Sequence, residues 1–182
     1  MVARMTAYVA LLRGINVGGN NILPMKQLVE LCTRTGATNV RTYIQSGNLA
    51  FHATAAVAKQ LPQKLGAAIE RAFGFKPPLT VRSAAEIDAI TADNPYLAAG
   101  IDANLLHVAF LADRPTAGAI ASLDPKLSPE DQFTVIGREI YLHYPNGVGK
   151  SKLTNAHFDR ALATICTVRN WRTVLALRDL AR

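Results

Sequence analysis

Chemistry first concentrates in this chain where an arginine follows an apolar run and opens a loop rich in glycine and asparagine. Residues 8–12 are apolar, Arg13 follows them, and residues 14–21 hold three glycines and three asparagines. A guanidinium is a fixed fork of donors that meets a carboxylate or a phosphate at two points. Glycines outside a simple turn let backbone N–H groups come close to an anion. Gly18 and Gly19 would give that approach, and Asn16, which both donates and accepts, would read a polar ligand. The competing reading is a well-ordered connection in which Arg13 ties down carbonyls and the asparagines take left-handed turns.

Three further clusters carry polar or charged groups. Gln45, Ser46 and Asn48 crowd around Gly47, and because Ser46-Gly47 already makes a tight turn, Gln45 and Asn48 are surplus to it. Tyr43, one pleat before Gln45 on the same strand face, would stack on a flat ligand or simply pack. Gly149-Lys150-Ser151-Lys152 enters a predicted helix, in the manner of a nucleotide-binding P-loop. That motif needs a glycine five places before Gly149, where Tyr144 stands, and an aspartate-bearing strand context that is missing. What survives is a helix start capped by Ser151, whose free N–H groups with Lys150 and Lys152 favour an anion, or a plain capped terminus. Arg169 precedes Asn170, a good N-cap for the last helix, and Trp171, which would anchor that helix; capping does not account for Arg169 itself.

Standard catalytic patterns are absent from the sequence. His52, His107, His143 and His157 lack metal-ligand spacing, and no metal site is expected. No nucleophile elbow or acid–base carboxylate pair stands out. The sequence therefore names no catalytic residue and no cofactor.

The elements that must position these residues follow from periodicity. Residues 6–12 are apolar on both faces, as in a strand covered on both sides. A helix follows Pro24, with Met25, Leu28, Val29, Leu31 and Cys32 at helical spacing, and ends at Gly36. Strands at 40–44 and 48–51 flank the turn 45–47. A helix carrying Leu65, Ile69 and Phe73 closes at Gly74, with Pro62 either opening it or lying inside a longer one. Residues 79–81 make a fourth strand. This order is the split βαβ pattern of ferredoxin-like lobes, and right-handed crossovers would bring the Arg13 loop and the Gln45 turn together at one sheet edge.

Ser83 and Glu86 have capping-box spacing for a third helix, which Asn94-Pro95 stops, and residues 96–104 read as a linker. Residues 105–111, a short helix with Ile120 and Leu123, a hairpin across Gly137-Arg138 and a helix from Ser151 then repeat strand-helix-strand-strand-helix, with no repeat at residue level. The expectation is an α+β protein of two ferredoxin-like lobes packed together as one compact unit, 1–95 with a trailing helix and 96–182 with a C-terminal covering helix over residues 171–181.

Bulk properties bound the partners. The chain has 182 residues, 49% of them hydrophobic, enough for a full core. A net charge of +7 and a pI near 9.7 favour anionic partners, although the charges are scattered. No apolar run approaches the roughly 20 residues of a membrane helix, and Met1-Val2-Ala3-Arg4-Met5 has no signal core, so the protein is expected in the cytoplasm and off the membrane. Cys32 and Cys166 sit on apolar positions and read as buried thiols.

The segments 11–19, Tyr43-Ile44-Gln45-Ser46-Gly47-Asn48, Gly149-Lys150-Ser151-Lys152-Leu153 and Arg169-Asn170-Trp171 together resemble the uncharacterised bacterial family called domain of unknown function 1697. The resemblance spans nearly the whole chain. It implies an α/β protein of ferredoxin-like lobes and brings no activity with it. The functional expectation is a small anionic ligand, such as a phosphorylated molecule, held at the Arg13 loop and the Gln45 turn. Nucleic-acid binding is the alternative suggested by charge and fold, although the aromatic RNA-binding signature is missing. A scaffold for another protein is the third.

Overall fold

The computed structural model describes residues 4–182; Met1, Val2 and Ala3, part of the stretch read above for a signal core, lie outside it. The chain divides into two units, one running to Asp88 and including Ala176–Arg182, the other Ala89–Leu175. Among the described residues no helix is long and apolar enough to cross a membrane.

The first unit is built from β1 (Thr6–Leu12), α1 (Met25–Arg34), β2 (Thr38–Tyr43), β3 (Asn48–Ala53), α2 (Ala55–Phe73) and β4 (Leu79–Ser83). Its sheet has the order β2-β3-β1-β4 with every neighbouring pair antiparallel, the arrangement of the split βαβ pattern. Alternate residues of β1 and β3, among them Ala10, Leu12, Leu49 and Phe51, meet Leu28, Cys32, Leu61, Leu65 and Ile69 of the two helices in one core. The opposite side is buried too: Val9, Leu11, Ala50 and Asn48 are all closed to solvent. That accounts for a first strand apolar on both faces.

Local chemistry fixes the ends. Thr54 accepts from the Val57 N–H at 3.3 Å, so α2 starts at Ala55 and Pro62 lies inside the longer helix. Gly74, at φ +78°, closes it. The capping box forms as the spacing requires, with Ser83 N–H donating to Glu86 at 2.8 Å and Glu86 N–H donating to Ser83 Oγ at 3.2 Å. It starts α3 (Ala84–Ala92).

Asn94 then caps a short α4 (Pro95–Ala98), and a 3-10 turn covers Ala103–Leu105, so the stretch read as a linker is partly helical. The second unit continues with β5 (Leu106–Leu111), α5 (Ala117–Ala121), β6 (Gln132–Ile136), β7 (Glu139–His143), α6 (Asn155–Leu162) and β8 (Cys166–Asn170). Its sheet order is β6-β7-β5-β8, again antiparallel throughout. The last element, α7 (Trp171–Leu180), starts where Asn170 accepts from the Thr173 N–H at 2.8 Å.

Two expectations are corrected here. The second lobe has a fourth strand, β8, which completes the same topology; Cys166 and Val168 face its core, while Thr167 and Arg169 alternate to the other side and mask the apolar pattern. Residues also repeat. Thr80-Val81-Arg82 and Thr167-Val168-Arg169 occupy the same register, Thr80 opposite Leu11 and Arg82 opposite Val9, Thr167 opposite Phe110 and Arg169 opposite Val108. In both strands the arginine donates to the carbonyl of the preceding valine, at 2.9 and 3.0 Å.

Candidate functional site

The end of β1 and the β2–β3 turn meet at one edge of the first sheet. The Leu12 N–H donates to Gly47 O at 2.8 Å, and the Arg13 N–H donates to Pro78 O at 2.9 Å. Gly47 is obligatory there. Its φ is +79°, and an added Cβ would lie 2.8 Å from Leu12 Cβ and 3.0 Å from Leu12 O. Side chains add a second tie, because Asn16 Nδ2 donates to Gln45 O at 3.0 Å across 29 residues of sequence.

Within the loop the polar groups are largely spent on structure. Asn16, at φ +53°, also donates to Leu23 O at 3.0 Å and accepts from the Leu23 N–H at 2.8 Å. Asn21, at φ +50°, donates to Gly14 O at 2.9 Å. Val17 and Asn20 pair as a two-residue hairpin whose central residues are Gly18 and Gly19, at φ +57° and +78°. Two positive φ values in succession are the signature of a type I′ turn, which explains both glycines without a ligand. Asn48 is buried, its Nδ2 donating to Tyr43 O at 3.2 Å and to Ser46 Oγ at 2.9 Å.

Gln45 and the glycines at 14, 18 and 19 are exposed, and Arg13, Tyr43 and Ser46 are half-buried. Among the described residues the N–H groups of Gly14, Gly18 and Gly19 have no acceptor. Tyr43 ends β2 and Gln45 lies in the turn, so the same-face pleat expected for the two does not exist.

Sequence reasoning passed over Ile44. Its φ of +48° is a genuine outlier for a β-branched residue, and its side chain is 54% exposed. Val17 and Ile22 are likewise 62% and 57% exposed, giving the corner an apolar fringe beside its polar groups. The only signal for Ile44 in the sequence is that Tyr43-Ile44 precedes three turn formers, which lengthens the turn to four residues.

The second unit holds the remaining predicted residues. Lys150 ends a 3-10 turn and α6 begins only at Asn155, capped by Thr154 through the His157 N–H at 3.2 Å. Ser151 instead accepts from the Leu153 N–H at 2.9 Å, so it is not the helix cap. Lys150 and Lys152 line a cleft of about 350 Å³ that also carries Glu130 and Asp131, so cations and carboxylates share it. Arg169 lies in β8, and burial pulls its guanidinium down to about 10 without removing its charge at neutral pH.

No group of three His, Cys, Asp or Glu suited to a metal occurs among the described residues. Burial lowers the pKa of His107 and of His157, which favours their neutral forms. Burial also pushes the Cys32 thiol up to about 12, leaving it protonated and unreactive near neutrality.

Comparison with known proteins agrees with the fold. The model of a family described as protein of unknown function (DUF1697) matches residues 5–141. The conserved bacterial protein SP0830 from Streptococcus pneumoniae has a similar structure, with a TM-score of 0.69 and 24% identity over 98% of this chain and 100% of that one. No curated protein matches the chain.

Proposed function

Because the chain belongs to the DUF1697 family, whose description carries no activity, we propose a function from geometry alone: the corner formed by the Arg13 loop and the Gln45 turn binds a small anionic ligand, such as a phosphorylated molecule. One observation carries this reading. The β1–α1 connection runs through residues 13–24 and the β2–β3 turn through 44–47, whereas the equivalent connections of the second unit take only 112–116 and 137–138. The fold closes with the short versions, so the extra length serves something other than closure.

Arg13 is the charged anchor of this reading, and the amides of the exposed Gly14, Gly18 and Gly19 would add neutral donors beside it. Gln45 would supply a further polar contact, and the exposed side chains of Val17, Ile22 and Ile44 would cover an apolar part of the ligand. β1 is covered on both faces, which leaves no open platform for stacked bases there and favours this reading over nucleic acid.

A thermal-shift screen with nucleotides, sugar phosphates and short oligonucleotides tests it, since a ligand of the folded state raises Tm. The expected hit is a small phosphorylated compound whose affinity falls at least about tenfold in Arg13→Ala, the loss of a charge-assisted hydrogen bond. A hit indifferent to Arg13→Ala, or an oligonucleotide hit with steep salt dependence, overturns the proposal.

A further inference from the structure

α1 and α2 lie side by side on one face of the first sheet, and the cleft between them has a composition that packing alone does not explain. α2 turns Leu61, Leu65 and Ile69 into the core. Along its flank run Lys64, Ala68, Arg71 and Ala72, at i, i+4, i+7 and i+8, which places them on one stripe. The alanines are too short to cover Leu31 of α1, and a cleft of about 380 Å³ opens there, with Arg34 on the α1 side.

Three cations, Arg34, Lys64 and Arg71, thus converge on one apolar floor, and no carboxylate lines the cleft. Among the described residues none of the three makes an ion pair or a side-chain hydrogen bond. Arg34 and Arg71 sit in the last turns of their helices, where a cation suits the helix dipole, but Lys64 is in the interior of α2 and has no such reason. Like charges gathered around a low-polarity floor repel one another and create a local field that an anion relieves. An adjoining cleft of about 330 Å³ shares Leu31, Arg34 and Ala72 and continues to Phe73, where Glu30 brings the first carboxylate. The Lys64 cleft is therefore lined by cations alone over its apolar floor, whereas the adjoining one mixes Lys26 and Arg34 with Glu30.

We infer that the α1–α2 cleft is a second binding site, taking a soluble amphipathic organic anion with its charged head among Arg34, Lys64 and Arg71 and its apolar body over Leu31, Ala68 and Ala72. The size suits a single ring system or short chain, within the range of small-molecule pockets. The stems of Lys64 and Arg71 wall the body while their heads reach the charge. None of these residues belongs to the Arg13 corner, so this site stands or falls independently of it.

The test is titration of the intact protein with 1-anilinonaphthalene-8-sulfonate, followed by competition with hexyl phosphate, hexanol and inorganic phosphate. The expected result is a saturable site displaced by hexyl phosphate far better than by hexanol or phosphate alone. Affinity for the dye should fall at least tenfold in the double variant Lys64→Glu/Arg71→Glu and in Ala72→Phe, which fills the floor with the charges intact. All three altered positions are exposed, and an unchanged Tm and near-ultraviolet circular dichroism spectrum establish that each variant is folded. Affinities within twofold of the parent in both variants overturn the inference, as does equal displacement by hexanol. Charge-dependent binding to phosphatidylglycerol vesicles without displacement by monomeric hexyl phosphate also overturns it, in favour of a membrane surface.

Discussion

The two units solve one folding problem with the same topology and differ in what they add to it. In each, the last residue of the central strand donates to the hairpin carbonyl: Leu12 to Gly47 at 2.8 Å and Leu111 to Arg138 at 2.9 Å. The next residue donates to the segment before the outer strand, Arg13 to Pro78 and Ala112 to Ile165, both at 2.9 Å. Beyond these shared bonds the first unit carries longer helices and longer β1–α1 and β2–β3 connections, where both proposed sites lie, whereas the second unit has the longer α5–β6 and β7–α6 connections. The second unit thus serves as an internal control, showing which features the fold itself demands.

The largest expected effect on that comparison comes from Gly47. Replacing it with Ala sets a Cβ against Leu12 at a positive φ, and equilibrium unfolding should record a loss of about 3 kcal/mol. A loss below about 1 kcal/mol would mean that the first hairpin rearranges easily, and its shared bond would then be incidental. Asn16→Ala comes next, removing three hydrogen bonds that the second unit never forms, for a cost of about 2 kcal/mol. Hydrogen exchange should quicken at the Leu23 amide and not in β5 or β7. Uniform quickening would show that the loop is part of the folding core after all.

The smallest effect sharpens the repeat. Among the described residues the buried hydroxyls of Thr80 and Thr167 have no hydrogen-bond partner. Thr80→Val and Thr167→Val should each be neutral or stabilising by up to about 1 kcal/mol, and by similar amounts. Opposite signs would show that the matching registers hide different environments.

Much of the architecture was legible because it rests on short-range rules. Ser83 and Glu86 are three residues apart, Gly137-Arg138 is a two-residue turn, and Asn170 stands where a cap is needed; each is complete within a few positions. The juxtaposition of the two corners was legible as well, since crossover handedness fixes it. What escaped depends on distant partners or on choices between near equals. Asn16 offered either a ligand contact or a left-handed turn, and its tie to the Gln45 carbonyl, far along the chain, could not be read from its neighbours. Ser151 was the cap the sequence named, and the backbone geometry that moves the helix start on to Thr154 has no signature in its neighbours. β8 was hidden because Arg169 interrupts its apolar alternation, and the α1–α2 cleft because Lys64 and Arg71 read as ordinary solvated charges until Arg34 is set beside them.

The recurrence of Thr-Val-Arg in β4 and β8 has a consequence for how the chain finds its native state. Two outer strands with the same three side chains at the same positions offer nearly interchangeable partners to either central strand, so side-chain identity is a poor guide to correct pairing. Connectivity has to do the sorting: β4 reaches its place through the hairpin and long α2 that precede it, and β8 through its own hairpin and the much shorter α6.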